Sequence, residues 1–393
     1  MRAIRILQEK LGKTFWFLHA KQAGALWRGV AGLLNGHQLW LTALGRSLPG
    51  HTSDKHRIKA VDRLVGSSAL QHAVPKLYAV LAAYLLRGIR RPVLLVDWTG
   101  AHPGFYVLSA KLSFQGRALS LFSRTFPAKR KCSPAAEREF LTELATIIPS
   151  DCTPIVVTDA GFHIEWFDAV RSYGWDFVGR LRNKITAQRG PTRKSIFELF
   201  ALAGRRPRDL GTLRLRLHNA REYRLVLSAK RKLKGRKQLT VAGTPRQRTA
   251  DHQRRRAARQ PWLLATSMND PARVVVQVYA MRMQIEQTFR DIKSHRYGWS
   301  VEDVRCKDPK RVDVLLLVGA FAAVAMHVVG LAAFGKNLQR GFQANTERRR
   351  TVFSTFFLGK LTTARGLDSS LPTPVLRAAA TDFKRLLLAA SLS

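Results

Sequence analysis

Acidic residues are scarce in this chain, 26 Asp and Glu against 67 Lys and Arg, so their placement is informative. Two stand at the ends of short apolar runs: Asp97 in PVLLVDW and Asp159 in TPIVVTDAGF. Each run reads as a buried strand. A carboxylate at the end of such a strand lies at the rim of a sheet, where open α/β sheets place their ligands. Taken alone, each aspartate reads more simply as a cap for the turn or helix that follows. As a pair on neighbouring strands, the two would converge. Glu286 is the third candidate, on a helix expected from Pro271 through ARVVVQVYAMRMQIEQTFRDIKSH. At about 100° per residue, Tyr279, Arg282, Glu286 and Lys293 share one narrow face, and Asp291 points elsewhere. That face is not a core stripe. An Arg282–Glu286 ion pair accounts for two of its residues but not for all four.

Three converging carboxylates suit a hard divalent cation such as Mg²⁺, which takes oxygen ligands and keeps several waters. Two such ions activate the attacking oxygen and stabilise the leaving one in an in-line displacement at a phosphodiester. Arg282 and Lys293 would then hold flanking phosphates, and Tyr279 would hydrogen-bond one. Motifs for competing chemistry are missing: the sequence holds no G-x-x-x-x-G-K-[ST] loop, H-E-x-x-H or G-x-S-x-G.

These residues need a sheet and a helix to carry them. After PVLLVDW, the segments GFYVLSAKLSF and GRALSLFSRTF have strand composition. SPAAEREFLTELATIIP reads as a helix capped by Ser133 and stopped by Pro149. A helix in HIEWFDAVRSYG and a strand in WDFVGRLRN follow TPIVVTDAGF. Three meandering strands, then alternating helix and strand, describe an α/β layer domain with a mixed sheet. Residues 184–260 break the pattern with alternating pieces (LRLRLHN, EYRLVLSAKRK) and basic runs (RKLKGRK, RRRAAR). They read as a basic, β-rich insertion whose charge runs are either solvated loops or phosphate contacts. WLLATS, starting at Trp262, resumes the strand character. The expected segments are a helical part over 1–90, a core over 91–183 and 261–305 interrupted by the insertion 184–260, and a helical part over 306–393.

Within the first segment, a short helix broken at Pro49 and Gly50 precedes a second helix capped by Thr52 or Ser53 that carries Lys55, Arg57, Lys59 and Arg63. This is the outline of a helix-turn-helix, and also of an ordinary helical hairpin with a solvated basic face. The formal charge of +41 calls for an anionic partner, nucleic acid first and an anionic membrane second. Residues 314–334 form an uncharged run long enough to span a bilayer. Its central His327, its glycines and its alanines favour a helix buried in protein over a membrane span. Three scattered cysteines form no disulfide or zinc pattern and fit a reducing cytoplasm.

Tyr279, Arg282, Glu286 and Lys293, within YAMRMQIEQTFRDIKS, are together similar to the signature of the insertion-sequence-four family of bacterial cut-and-paste DDE transposases (the Tn-five and Tn-ten group). LLVDWTG, VVTDAGF, KHRIKAVDRLVG, PWLLATS and GFQANTERRRTVFSTFFLGK resemble the Tn-ten branch in the same order, over nearly the whole chain. The resemblance implies a metal-binding triad of Asp97, Asp159 and Glu286 on an RNase H-like core. That core would be a five-stranded mixed sheet with flanking helices, a β-rich insertion and helical terminal regions. It implies terminal inverted repeats of double-stranded DNA as substrate, bound by the N-terminal helices. It further implies nicking and hairpin formation with two Mg²⁺ ions (or Mn²⁺ in their place), joining to target DNA, and a homodimer bridging two DNA ends. The protein would be DNA-associated in a bacterial cytoplasm. Trp262 would stack on a flipped base during the hairpin step, a role that its position at the start of a buried strand competes with. The alternatives are a non-enzymatic DNA-binding protein and a catalytically decayed transposase. Three carboxylates beside DNA are costly without metal, which disfavours a pure binder.

Overall fold

The computed structural model describes residues 2–102, 104–181, 185–215, 220–229, 260–294, 298–347, 350 and 352–390. In chain order these form α1 (Arg2–Leu11), α2 (Ala20–Gly36), α3 (Leu41–Arg46), α4 (Asp54–Gly66) and α5 (Ser68–Leu86). Next come β1 (Val93–His102), β2 (Phe105–Phe114), β3 (Arg117–Pro127), α6 (Pro134–Ile147), β4 (Ile155–Thr158), α7 (Ile164–Ser172) and β5 (Asp176–Leu181). β6 (Thr186–Arg189), β7 (Thr192–Ser195), α8 (Ile196–Ala201), β8 (Arg208–Leu215), β9 (Arg221–Leu227) and β10 (Leu263–Thr266) follow. The chain closes with α9 (Ala272–Ala280), α10 (Met283–Lys293), α11 (Pro309–Gly335), α12 (Thr355–Ala364) and α13 (Thr373–Ala389). It divides into two compact units, one of Met1–Pro154 with Met283–Ser393, the other of Ile155–Arg282.

In the first unit, β1, β2 and β3 form the expected antiparallel meander, in the order β3-β2-β1. Gln115 and Gly116 turn β2 into β3 with φ of 42° and 78°, as a two-residue hairpin matching strand twist requires. The alternation of side chains gives the meander two distinct faces. One carries Val96, Ala110 and Phe122, and the Phe122 ring lies 5.5 Å from Tyr78 of α5 and 4.9 Å from Phe140 of α6. The other carries Asp97, Ser109, Lys111, Ser120 and Ser123. Helices α10 and α11 cover this second face. The Lys111 ammonium sits 5.6 Å from the ring of Phe289 on α10, and the Thr125 N–H of edge strand β3 donates to Asp313 of α11 at 2.8 Å.

The uncharged run at 314–334 lies inside α11. Among the described residues, this helix and Ser68–Leu86 are long and apolar enough to cross a membrane by composition. The most apolar window of α11 is 83% buried, however, with α2, α5, α12, α13 and β3 packed around it. An all-round apolar helix is what a core position of this kind demands. His327 is buried there with Nδ1 2.6 Å from the Thr355 hydroxyl, and burial lowers its pKa to about 3, so the ring is neutral. Helices α11 and α12 cross through glycine. A Cβ on Gly330 would stand 1.8 Å from the Thr355 carbonyl oxygen, and one on Gly359 2.0 Å from that of Met326. Near the N-terminus, α3 and α4 realise the expected short helix, break and basic helix. A Cβ on Gly45 would come within 2.6 Å of the Ile58 Cα.

In the second unit, β4 and β5 run parallel, joined by α7. Gly179 of β5 makes room for Phe167 of α7, whose ring stacks on Phe177 at 4.6 Å. β10 lies antiparallel to β5, as a returning core strand. The basic insertion then extends the same sheet, in the order β4-β5-β10-β9-β8-β6-β7. A separate five-stranded sheet is therefore not delimited in this unit, because β9 pairs with the edge that β10 would otherwise leave open. The RKLKGRK and RRRAAR runs lie outside the described residues.

The helix expected to run unbroken from Pro271 is two helices. Met281 and Arg282 separate α9 from α10, and the Arg282 N–H turns back to the Tyr279 carbonyl three residues earlier, at 3.0 Å. A tightened turn of this kind ends the α-helical phase. One continuous helix therefore does not carry all four residues: Tyr279 lies on α9, Arg282 in the turn, and Glu286 and Lys293 on α10.

Gly359→Val is expected to destabilise the protein by about 3 kcal/mol or more, since backbone carbonyls rather than flexible side chains stand in the way. Thermal unfolding checks this; a melting temperature equal to wild type would mean that the α11–α12 crossing can open at little cost.

Candidate active site

Asp97 does not end its strand. β1 continues to His102, and Asp97 lies where the fully buried stretch Val93–Val96 gives way to half-buried residues. Its carboxylate accepts the N–H of Trp98 at 2.8 Å, and Ser109 of β2 lies directly opposite it. The neighbouring Trp98 indole N–H donates to Glu137 at 3.3 Å from the other face. Asp159 does end its strand, directly after β4, and accepts the Gly161 N–H at 2.7 Å in a tight local turn. Asp159 thus makes the turn contact that the sequence leaves open beside a metal role, whereas the contact of Asp97 lies within β1. Each is half-buried.

Glu286 occupies the first turn of α10, where the helix dipole favours a carboxylate. Lys293 closes the same helix two turns later and on the same side. Its ammonium pairs with Glu302 at 3.3 Å and lies beside Gly100 of β1. Asp291, set aside as pointing elsewhere, is held by Arg117. Within the first unit, then, Asp97 belongs to the sheet face that α10 covers, and Glu286 and Lys293 belong to α10.

Tyr279 and Trp262 come together in the second unit. Their rings meet edge to face, 4.8 Å apart at 69°. Tyr279 is buried on α9, and Trp262 is half-buried immediately before β10. The Trp262 N–H donates to the Ser228 hydroxyl at 2.7 Å, and its carbonyl accepts the Ser228 N–H at 2.8 Å. Two backbone bonds and a ring contact fix the indole while leaving part of it exposed. Arg282 is half-buried in the turn after α9. On α4, Lys55, Lys59 and Arg63 are exposed one turn apart and form a basic stripe. Arg57 is engaged internally: it donates to the Leu48 carbonyl at 3.1 Å and pairs with Asp54, tying the turn between α3 and α4.

Among the described residues, no group of three or more His, Cys, Asp and Glu side chains forms a metal cluster. The donor chemistry of Asp97, Asp159 and Glu286 nonetheless fits one class of ion. All are carboxylates, with no thiolate or imidazole, and partial exposure leaves them reachable from solvent, as a hard cation that keeps water requires.

Residues 90–324, more than half of the chain, match the family model described as Transposase DDE domain. No curated protein matches the chain.

Sequence reasoning missed Lys111. It is 1% exposed, donates to the Ser120 hydroxyl at 2.5 Å, and lines a cavity of about 40 Å³ with Ser109, Phe289, Lys293 and His327. The signal lay in the alternation of β2, where Val107, Ser109, Lys111 and Ser113 share one face. Burial lowers the Lys111 pKa to about 7. The unfolded chain keeps this proton up to about pH 10.4. Between those values the unfolded state binds more protons than the folded one, so this residue makes stability rise with pH. Lys111→Met is expected to stabilise the protein at pH 6 by on the order of 2 kcal/mol, with the gain fading towards pH 10. Denaturant unfolding at the two pH values checks it. A gain independent of pH would assign the effect to packing instead.

Proposed function

Since the chain belongs to the transposase DDE domain family, we propose that it is an active DNA transposase whose metal ligands are Asp97, Asp159 and Glu286. Family membership implies an RNase H-like fold, a DNA substrate and a divalent metal. The proposal adds the particular residues, the insertion-sequence-four assignment near the Tn-ten branch, and the cut-and-paste course through nicking, hairpin formation and strand transfer. The observation that carries it is the placement of Asp97 on the sheet face covered by α10, the helix that bears Glu286 and Lys293.

Bound by the three carboxylates, two Mg²⁺ ions would supply Lewis-acid polarisation of the scissile phosphate and activation of the attacking oxygen. The protein's own residues do the remainder. Glu286 sits in the first turn of α10. Lys293 presents a cation at the end of the same helix, and exchange of Glu302 for a DNA phosphate would cost little at a half-exposed pair. Arg282 supplies a planar fork suited to a second phosphate. Trp262, braced by Tyr279 and Ser228, offers a stacking surface for an extruded base. Lys55, Lys59 and Arg63 form the stripe of α4 that faces the DNA end, and Arg57 preserves the turn that presents it. A homodimer holding two ends completes the proposed assembly.

The test is Mg²⁺-dependent cleavage of a labelled duplex carrying the inverted repeat found beside the gene. Wild type is expected to give end-specific nicks and hairpins. Asp97→Ala and Glu286→Gln should lose cleavage by at least about 10³-fold while binding the duplex as wild type does. Cleavage by Glu286→Gln at the wild-type rate would remove Glu286 from the site. Binding without cleavage by the wild type itself would favour a decayed enzyme.

A further inference from the structure

Trp16 is 86% exposed, although the chain buries most of its large aromatic side chains. It lies in the tripeptide Phe15-Trp16-Phe17 between α1 and α2, and its two neighbours are anchored. Phe15 is buried, stacks on Trp27 at 5.7 Å and meets Phe321 of α11 edge-on at 6.0 Å. Phe17 lies under the Lys76 ammonium of α5 at 6.0 Å and turns its ring against Trp16 at 87°. The backbone around Trp16 is closed on both sides. The Phe15 N–H donates to Gly12, the Leu18 N–H donates to Phe15 at 2.9 Å, and His19 caps α2 through the Lys21 N–H. The indole is therefore held outward on a fixed mount.

The surroundings are cationic. From Lys10 to Ser53 the chain holds no Asp or Glu, and neither does the stretch from Arg63 to Val96 that contains α5. Lys13, His19 and Lys21, all exposed, flank the indole in sequence. An aromatic plane among phosphate-binding cations is the chemistry that recognises an unstacked nucleobase together with its backbone. A protein partner suited to such a charge would be acidic, but it would gain nothing particular from one outward indole on a rigid turn.

We propose that Trp16 is a stacking post for an unpaired base of bound DNA, a contact separate from Trp262. This rests on the DNA-transposase reading. It supplies a place where DNA bent or opened by the protein is held at the first unit.

Two mixed-sequence duplexes test it, one fully paired and one with a single bulged 2-aminopurine, with the intact protein. Wild type is expected to bind the bulged duplex more tightly and to quench its 2-aminopurine. Trp16→Ala should weaken binding of the bulged duplex by about tenfold, as loss of one base–aromatic stack predicts, and abolish the quenching. It should leave the paired duplex and the salt dependence within twofold of wild type, and Trp16→Phe should recover part of the loss. Equal binding and quenching by wild type and Trp16→Ala would overturn the proposal. So would a change of oligomeric state in Trp16→Ala with DNA binding unchanged, which would place the indole between copies of the chain. Failure of wild type to bind either duplex would instead remove the DNA reading itself.

Discussion

The first unit depends on enclosing α11. A helix of 27 residues with apolar side chains on every side has no solvent face, so the surrounding elements must cover it entirely. The close glycine crossing with α12 and the packing of α2, α5, α13 and β3 meet that demand. Beyond the polar first turn, Asp313 and His327 are the polar residues of α11. Burial pushes the Asp313 pKa up to about 7 against the Thr125 N–H that it accepts, so its carboxyl resists ionisation even while fixing the edge strand. The three-stranded meander is thus clamped by α5 and α6 on one face and by α10 and α11 on the other.

This clamp gives the candidate site its precision. Asp97 lies on a strand buried for four residues before it, and α10 rests on the same sheet face through Phe289 and Lys111. The interior beneath them holds several polar groups of both signs: Lys111, the Arg117–Asp291 pair and Lys360, which donates to the Gly298 carbonyl at 2.7 Å. Burial lowers the pKa of Lys111 and of Lys360 and raises that of Asp291. A neutral or paired interior under a charged rim keeps the carboxylates as the dominant local charge. The formal +41 of the whole chain favours a polyanionic substrate such as the DNA that family membership implies.

Much of the fold was legible because periodicity reports burial. The strand that ends before Asp159, the Ser133-capped α6 and the short-helix, break, basic-helix outline at α3 and α4 all appear where alternation, caps and breakers place them, whereas β1 runs on past Asp97 to His102. The break at Met281 and Arg282 was not legible, because no Gly or Pro marks it and a tightened backbone turn leaves no trace in composition. The extension of the sheet by β9 and β8 was hidden for another reason: pairing partners are set by which edge stays open, a property of the assembled sheet. Arg57 shows the limit for sites. By type it matches Lys55, Lys59 and Arg63, but it falls off their four-residue spacing, and its bonds to Leu48 and Asp54 show its structural part.

The proposed site requires Asp97, Asp159 and Glu286 to hold the same metal ions. Counting bound Mn²⁺ by electron paramagnetic resonance on the protein–DNA complex tests it most directly. Wild type is expected to bind two ions, with Asp97→Asn, Asp159→Asn and Glu286→Gln each losing at least one. A full complement of bound Mn²⁺ in any one of these variants would contradict a shared site.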